Sequence, residues 1–499
     1  MVASEFWQKR SITRLRDHNK RTNAASLTLR QSIFPICLVT VLFFLWGFSY
    51  GLLDTLNKHF QNILGITRAR SSGLQVAYFG AYPIASLGHA AWILRHYGYR
   101  ATFIWGLFLY GLGALLCIPA IIAHSFAGFC ICIFVIGNGL GSLETAANPY
   151  ITVCGPPKHA ELRINLAQAF NGIGAIVAPL LGSYVFFGFD SEEKALQNVQ
   201  WVYTAISIFV LFMAGVFLLA EIPEITDADM ALQEEEAAKK NHAGRIGAEA
   251  YQAHVEAQPD ASGVVPPKED LPFRTQYRLF HAASAEFCYT GAQVAVASYF
   301  INYVTETRPN TDSALAAKFL AGAQGAFAVG RFIGVGIMSC IRPRKVFLVF
   351  MTMCWVSIAP AITQRGNVGM SMLYVVFFFE SICFPTIVAL GMRGLGRHTK
   401  RGSGWIIAGV FGGAVVPPLL AAVADSNGGR TGTAVAMAVP MVFFLASWTY
   451  AMAVNFWRWY RQAEDAFVGD RGAASGGGIL DHTSDSSSIM TGTSRNHAA

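Results

Sequence analysis

The sequence predicts an all-α polytopic membrane protein, with twelve transmembrane helices in two pseudo-symmetric six-helix bundles. Three observations predict it. The 499 residues are 53% hydrophobic and only 13% charged, against about 25% charged in a soluble globular chain. Apolar runs long enough to cross a bilayer core of about 30 Å recur along the chain. A pattern in the fourth and fifth of these runs returns in the tenth and eleventh. So few charges could not cover the surface of a water-soluble protein of this size, so soluble enzyme classes drop out. The net charge of +7 is not a nucleic-acid footprint, because it has to be read against membrane sidedness.

Twelve runs stand out, at roughly 34–58, 73–94, 101–123, 126–153, 164–188, 199–220, 276–304, 314–340, 345–364, 369–392, 403–424 and 432–457. The first is the weakest, since its far end carries Asp54, Asn57 and Lys58. Residues 1–33 are charged and lack a small-residue cleavage pattern, so they read as a cytoplasmic tail rather than a signal peptide. Residues 34–220 form the first six-helix bundle and 275–457 the second. The polar stretch between them, 221–274, contains Glu234-Glu235-Glu236, Lys239-Lys240 and Pro266-Pro267 and reads as a cytoplasmic loop. Residues 458–499 are Gly/Ser-rich and read as a disordered tail.

An even number of spans puts both termini on one side. Of the 37 lysines and arginines, 28 fall on the side of the termini and 8 on the other. Both termini are therefore expected in the cytoplasm, in a multi-pass protein of the plasma membrane. The nine cysteines sit almost entirely in apolar runs and form no CxxC pair, so they read as packed thiols.

The repeat is specific. Glu144-Thr-Ala-Ala-Asn-Pro149 in the fourth span matches Glu380-Ser-Ile-Cys-Phe-Pro385 in the tenth, and Gly174-Ala-Ile-Val-Ala-Pro179 in the fifth matches Gly413-Ala-Val-Val-Pro-Pro418 in the eleventh. The offsets, 236 and 239 residues, nearly coincide. That is the signature of a duplicated six-helix unit. The pairs Gly137/Gly141, Gly330/Gly334 and Gly409/Gly413 are spaced for close helix packing.

Ionisable groups inside a bilayer are costly and mark function by default. Asp54, Glu144, Arg331 and Glu380 lie inside spans. Glu144, one turn before a proline at mid-span, reads as a substrate or proton site; the competing reading is a helix–helix hydrogen bond. Asp54 reads the same way, against an interfacial pair with Lys58 at i+4. Arg331 and Glu380 are either site residues or a structural ion pair in which each tolerates the other. Glu286, nearer the end of the seventh span, is expected to be solvated from the cytoplasm. Asn165, Gln168 and Asn171 share one face of the fifth span, and Asn138, Asn148, Gln293 and Asn302 extend a polar lining. Amides offer both donors and acceptors, which a polyhydroxylated solute requires. Trp46, Tyr50, Tyr289, Tyr299 and Trp405 are candidates to stack on the apolar face of a sugar ring. No zincin pair, Walker loop or Gly-x-Ser-x-Gly occurs, so no enzyme and no metal site is expected.

Phe43-Phe-Leu-Trp-Gly47 followed by Asp54, then Leu143-Glu-Thr-Ala-Ala-Asn-Pro149, then Arg163-Ile-Asn-Leu-Ala-Gln-Ala-Phe-Asn171, and later Tyr289-Thr-Gly-Ala-Gln-Val-Ala295 and Phe384-Pro-Thr-Ile387, carry a family resemblance. The chain resembles the branch of the major facilitator superfamily that holds the bacterial L-fucose–proton symporters and the glucose/galactose transporters, over nearly all of 34–457. The tails and central loop lie outside the resemblance and read as a eukaryotic, fungal-type elaboration. The resemblance implies monosaccharide transport by alternating access with a proton as coupling ion, no other cofactor, and function as a monomer in the lipid bilayer. It maps the family's cavity carboxylates onto Asp54 and Glu144, and the polar pair of the fifth span onto Gln168 and Asn171. Asn148, Gln293, Tyr289 and Glu380 complete the expected binding set. Tyr50, Gly51 and Leu53 stand where fucose-type members carry asparagines, and Gln293 stands where glucose/galactose members carry a glutamate. The substrate is therefore L-fucose, another hexose or an N-acetylhexosamine. The alternative function is a non-transporting sugar sensor on the same fold.

Overall fold

The computed structural model describes residues 29–154, 160–185, 192–226, 229–230 and 272–460. Most of the expected N-terminal tail, central loop and C-terminal tail lies outside the described residues.

The described chain is almost wholly helical. The first half holds α1 (Leu29–Leu64), α2 (73–97), α3 (99–122), α4 (Phe126–Val153), α5 (Ala160–Val185) and α6 (Glu192–Leu219). The second half holds α7 (Tyr277–Thr307), α8 (Ser313–Cys340), α9 (Pro343–Thr363) and α10, the last made of Gly366–Glu380 and Cys383–Met392. It ends with α11 (399–427) and α12 (432–456).

Among the described residues, ten helices qualify as membrane spans on length and apolarity alone. The difference from twelve has two physical causes. Residues 68–122 run on as one helical stretch, but Gly98, at φ 85° and ψ −173°, breaks it between α2 and α3. Only glycine holds that backbone without strain. The Glu224 carboxylate accepts the Tyr99 N–H at 3.0 Å, placing negative charge at the start of α3, where the helix dipole favours it. The other cause is α7, whose residues 289–304 are all buried. A helix that meets protein on every side has no need of an apolar exterior, so its polar residues lower its mean hydropathy.

Glycines set the helix spacing. A Cβ on Gly47 would lie 1.9 Å from the Asn171 carbonyl oxygen, and one on Gly174 would lie 2.3 Å from that of Phe44, so α1 and α5 touch backbone to backbone. The three glycine pairs expected to pack do so. Gly137 meets Tyr78 of α2, Gly330 meets Phe378 of α10, and Gly409 meets Ala283 of α7. Of the nine cysteines, all are free thiols and five are buried. Cys37 and Cys340 are exposed, so the packed-thiol reading does not extend to them.

The halves meet along α5 with α8, α2 with α11, and α1 with α7. Two prolines of the repeat, in α4 and α10, act at this seam. Pro149 and Pro385 carry no N–H, so the carbonyls four residues earlier, on Thr145 and Ser381, lose their helical donor. Ser403 of α11 donates to the Thr145 carbonyl across the seam at 3.2 Å. Arg331 Nε of α8 donates to the Ser381 carbonyl at 2.8 Å. In α4 the helix runs through its proline, whereas α10 breaks at Ser381 and Ile382.

Both ends of the seam are bridged. At the end carrying the α1–α2 loop, Arg68 Nη2 reaches Glu306 Oε1 at 2.6 Å and Nη1 reaches Asp425 Oδ1 at 2.9 Å. Asp425 also accepts the Ala69 N–H at 3.1 Å, and Glu306 accepts both the N–H and hydroxyl of Thr433. At the opposite end the Lys400 ammonium lies 5.2 Å over the Tyr99 ring, and Gly404 lies against the Ser86 carbonyl. Charge-assisted hydrogen bonds at these partly buried positions each contribute about 1–2 kcal/mol. A double-mutant cycle of Arg68→Ala with Glu306→Ala, read by thermal unfolding in detergent, is expected to give a coupling of that size. Additive losses would show that the contact contributes nothing.

Candidate functional site

At the centre of the seam polar side chains from both halves lie buried together. Asp54 is 1% exposed, Glu144 3%, Arg331 2% and Glu380 1%, so water does not reach them in this conformation. Asn148, Gln168, Asn171, Glu286, Gln293 and Tyr289 are buried with them.

Asp54 sits on α1, but its partner is on the other half. Asp54 Oδ1 accepts the Ser298 hydroxyl of α7 at 2.6 Å, while Oδ2 has no hydrogen-bond partner. The interfacial pair with Lys58 is therefore not what holds it. Ser298 also accepts from Gln75 Nε2 at 3.0 Å, and its carbonyl accepts from Asn57 Nδ2 at 3.1 Å. Ser298 thus gathers α1 and α2 around one residue of α7.

Neither oxygen of Glu144 has a hydrogen-bond partner. The groups acting on it are the Tyr82 hydroxyl and the Arg331 guanidinium. Tyr82 in turn accepts from Trp46 Nε1 at 2.5 Å. Trp46 stacks on Tyr50 with ring centroids 5.5 Å apart and lies 6.3 Å from Phe384 of α10. This makes an aromatic shelf beside the carboxylates. No hydrogen bond to Glu144 of ordinary length is made, although the Tyr82 hydroxyl of α2 acts on it from the next helix.

Arg331 departs from the sequence reading. No ion pair with Glu380 forms among the described residues. The guanidinium instead reaches across the seam. Its Nη1 donates to the Gln168 carbonyl, to Gln168 Oε1 at 3.0 Å and to Asn171 Oδ1 at 3.2 Å. The reason lies in α10: the carbonyl freed by Pro385 anchors Nε, and that anchor aims the guanidinium at α5. Arg331 also lies over the Phe327 ring, 4.4 Å from its centroid. Glu380 Oε2 is left without a partner, and the Glu380 carbonyl takes the Tyr289 hydroxyl at 2.7 Å.

The remaining expected residues divide. Gln168 Nε2 donates to Asn148 Oδ1 at 3.4 Å, and Asn148 Nδ2 and Asn171 Nδ2 have no partner. Asn138 is turned to His89, 3.1 Å away. Tyr299 donates to the Arg68 carbonyl at the loop end, and Trp405 is 38% exposed against Phe280, so neither sits with the central polar residues. Glu286 is fully buried rather than solvated, with Oε1 accepting from Thr290 at 2.8 Å. Arg163 caps the end of α4 through the Ile151 and Thr152 carbonyls at 3.1 and 2.6 Å. Among the described residues, no group of three or more His, Cys, Asp or Glu is placed to hold a metal.

Ser298, Tyr82 and the Arg68 clasp were missed in the sequence. Serine and tyrosine carry no signal of their own there. The Pro385 effect was legible, because a proline in a span always strips a donor from the carbonyl four residues before it.

A two-fold helical bundle with unpartnered carboxylates and amides at a central seam defines a membrane carrier. The chain belongs to the Major Facilitator Superfamily, whose family model matches residues 39–418. It is 33% identical over 424 residues to the L-fucose-proton symporter of Escherichia coli strain K12, covering 80% of this chain and 89% of the relative. It is 31% identical over 402 residues to a glucose/galactose transporter of Brucella abortus biovar 1 strain 9-941, covering 79% and 89%. The crystal structure of the transporter FucP in the outward conformation superimposes with a TM-score of 0.64 at 30% identity, over 84% of this chain and 98% of FucP. The proton:xylose symporter XylE, at 12% identity and a TM-score of 0.62 over 85% and 95%, shares the fold.

Removing Arg331 leaves the Ser381 carbonyl, Gln168 Oε1 and Asn171 Oδ1 without their donor, and each unsatisfied buried acceptor costs about 1–3 kcal/mol. Arg331→Leu is therefore expected to lower the unfolding temperature clearly, and adding Glu380→Gln should not restore it, as it would for a direct pair. Glu144→Gln, an isosteric change at a group without partners, should leave the unfolding temperature unchanged or raise it. Thermal unfolding of the purified variants checks all three.

Proposed function

We propose that this chain carries a monosaccharide across a membrane by proton symport, through alternating access to the central polar residues. The observation that carries the reading is the pair Asp54 and Glu144, two buried carboxyls with unpartnered oxygens beside amides and an aromatic shelf. The relatives' sugar and proton specificities support it. The sugar is L-fucose, glucose, galactose or an N-acetylhexosamine; Asn148, Gln168, Asn171 and Gln293 supply donors and acceptors to its hydroxyls, and Trp46 and Tyr50 take its apolar face.

A carboxylate shut away from water is costly when charged, so the sugar-loaded carrier closes with protons on Asp54 and Glu144. Protons bound from outside neutralise them, and the loaded carrier closes and reopens inward. Loss of proton and sugar to the cytoplasm resets the cycle. The Arg68 clasp closes the outer mouth, and the Lys400–Tyr99 and Ser403–Thr145 contacts close the inner one. This orientation puts both termini in the cytoplasm, as the lysine and arginine distribution favours, with bundles 34–220 and 275–457 rocking about the seam. The carrier works as a monomer in the plasma membrane.

Radiolabelled uptake of L-fucose, D-glucose, D-galactose and N-acetylglucosamine into proteoliposomes tests the reading. One of these sugars is expected to accumulate against its gradient when the outside is acidic, and a protonophore should abolish that accumulation. Glu144→Gln should lose accumulation and keep exchange; protonophore-sensitive accumulation by that variant would remove Glu144 from the coupling. Gln168→Ala and Asn171→Ala should raise the KM roughly ten- to a hundredfold, since a lost buried hydrogen bond costs about 1–3 kcal/mol. Gln293→Glu should reorder the hexoses rather than abolish transport.

A further inference from the structure

We propose that Arg331 is an internal competitor for the sugar: a latch that fills the acceptor oxygens of Gln168 and Asn171 when the carrier closes without substrate, and that moves to Glu380 when sugar takes those oxygens. The proposal rests on the sugar reading above.

The geometry points to it in three ways. Arg331 belongs to α8 of the second half, yet its Nη1 donates to Gln168 Oε1 at 3.0 Å and Asn171 Oδ1 at 3.2 Å on α5 of the first. Each amide oxygen has two lone pairs, and Arg331 fills the one that faces the second half, so a sugar hydroxyl reaching these oxygens across the seam competes with it. The anchor of the latch is fixed: Nε is held at 2.8 Å by the Ser381 carbonyl, which Pro385 deprives of its helical donor. About that anchor the two Nη groups have a second destination. Glu380 is the residue before Ser381, it is 1% exposed, and its Oε2 has no partner. A guanidinium swung from α5 toward α10 would meet a buried carboxylate that nothing else satisfies.

The arrangement solves a problem that any symporter has. To return without sugar, the carrier must close over polar groups that sugar would otherwise satisfy, and unsatisfied buried acceptors oppose that closure. Arg331 supplies the missing donors. The same contact lowers apparent sugar affinity, because only the fraction of carrier with the latch released binds sugar. Loading then pairs Arg331 with Glu380, so the buried charge is never left alone.

The test uses the full chain in proteoliposomes, with whichever of L-fucose, D-glucose, D-galactose and N-acetylglucosamine the wild type accumulates. The variants are Arg331→Gln, Arg331→Lys and Glu380→Gln, and the readouts are sugar binding, sugar exchange and net uptake. Exchange needs only the loaded carrier to reorient, whereas net uptake also needs the sugar-free return. Arg331→Gln is expected to bind sugar at least threefold more tightly and to raise the ratio of exchange to net uptake at least tenfold. Arg331→Lys, which keeps the charge but not the planar fork, should move both in the same direction by less, and it serves if Arg331→Gln does not fold. Glu380→Gln, which removes the second destination, should weaken binding at least threefold with the ratio near that of the wild type. Weaker sugar binding in the Arg331 variants would make Arg331 a direct sugar ligand and overturn the latch. An unchanged ratio would overturn it as well. If the wild type carries none of the four sugars, the sugar reading fails and the latch, which rests on it, is overturned with it.

Discussion

The lack of a helical donor for the Ser381 carbonyl governs the centre of this molecule. Pro385 cannot supply one, so Arg331 does. That hydrogen bond anchors the guanidinium carried by α8 at the centre of the seam. From there the positive charge faces α5, where Gln168 and Asn171 accept it, and it lies within electrostatic reach of Glu144 and Glu380. The same stereochemistry at Pro149 in the other half frees the Thr145 carbonyl for Ser403. Duplication thus left a proline-exposed carbonyl at matching places in α4 and α10. The one in α10 holds a charge within the second half, and the one in α4 ties the halves together.

Everything polar at the seam follows the rule that a group removed from water must be satisfied by protein, substrate or proton. Where protein satisfies it, the contact is structural, as for Ser298 on Asp54 and Thr290 on Glu286. Where it does not, as for both oxygens of Glu144 and Oε2 of Glu380, the group is open to exchange. Glycine contacts between α1 and α5 make the frame stiff, so small changes in which groups are satisfied are met by the two halves moving rather than by the frame bending.

Much of this was legible in the sequence. The helices, their six-and-six division and the two repeat motifs followed from apolar run length and spacing. Asp54, Glu144, Gln168, Asn171 and Asn148 are all buried, as their placement in spans suggested. Hydropathy failed at α7 for a definite reason: a helix buried on all sides carries polar residues that a lipid-facing helix cannot. The Arg331–Glu380 pair was the natural reading of two charges at similar depth in one half, yet depth says nothing about direction. Direction came from a freed carbonyl one residue beyond the glutamate. Ser298 and the Arg68 clasp depend on which residues of opposite halves face each other, and no local pattern encodes that.

The most direct test of the account is the proton itself. Proteoliposomes in lightly buffered medium with an external pH dye receive an outside pulse of whichever hexose they accumulate, with no pH gradient imposed. The account predicts an immediate alkalinisation of the medium that is lost with protonophore and absent in vesicles carrying Glu144→Gln. Sugar entry without any change in external pH would contradict proton coupling and leave the buried carboxyls without the role assigned to them.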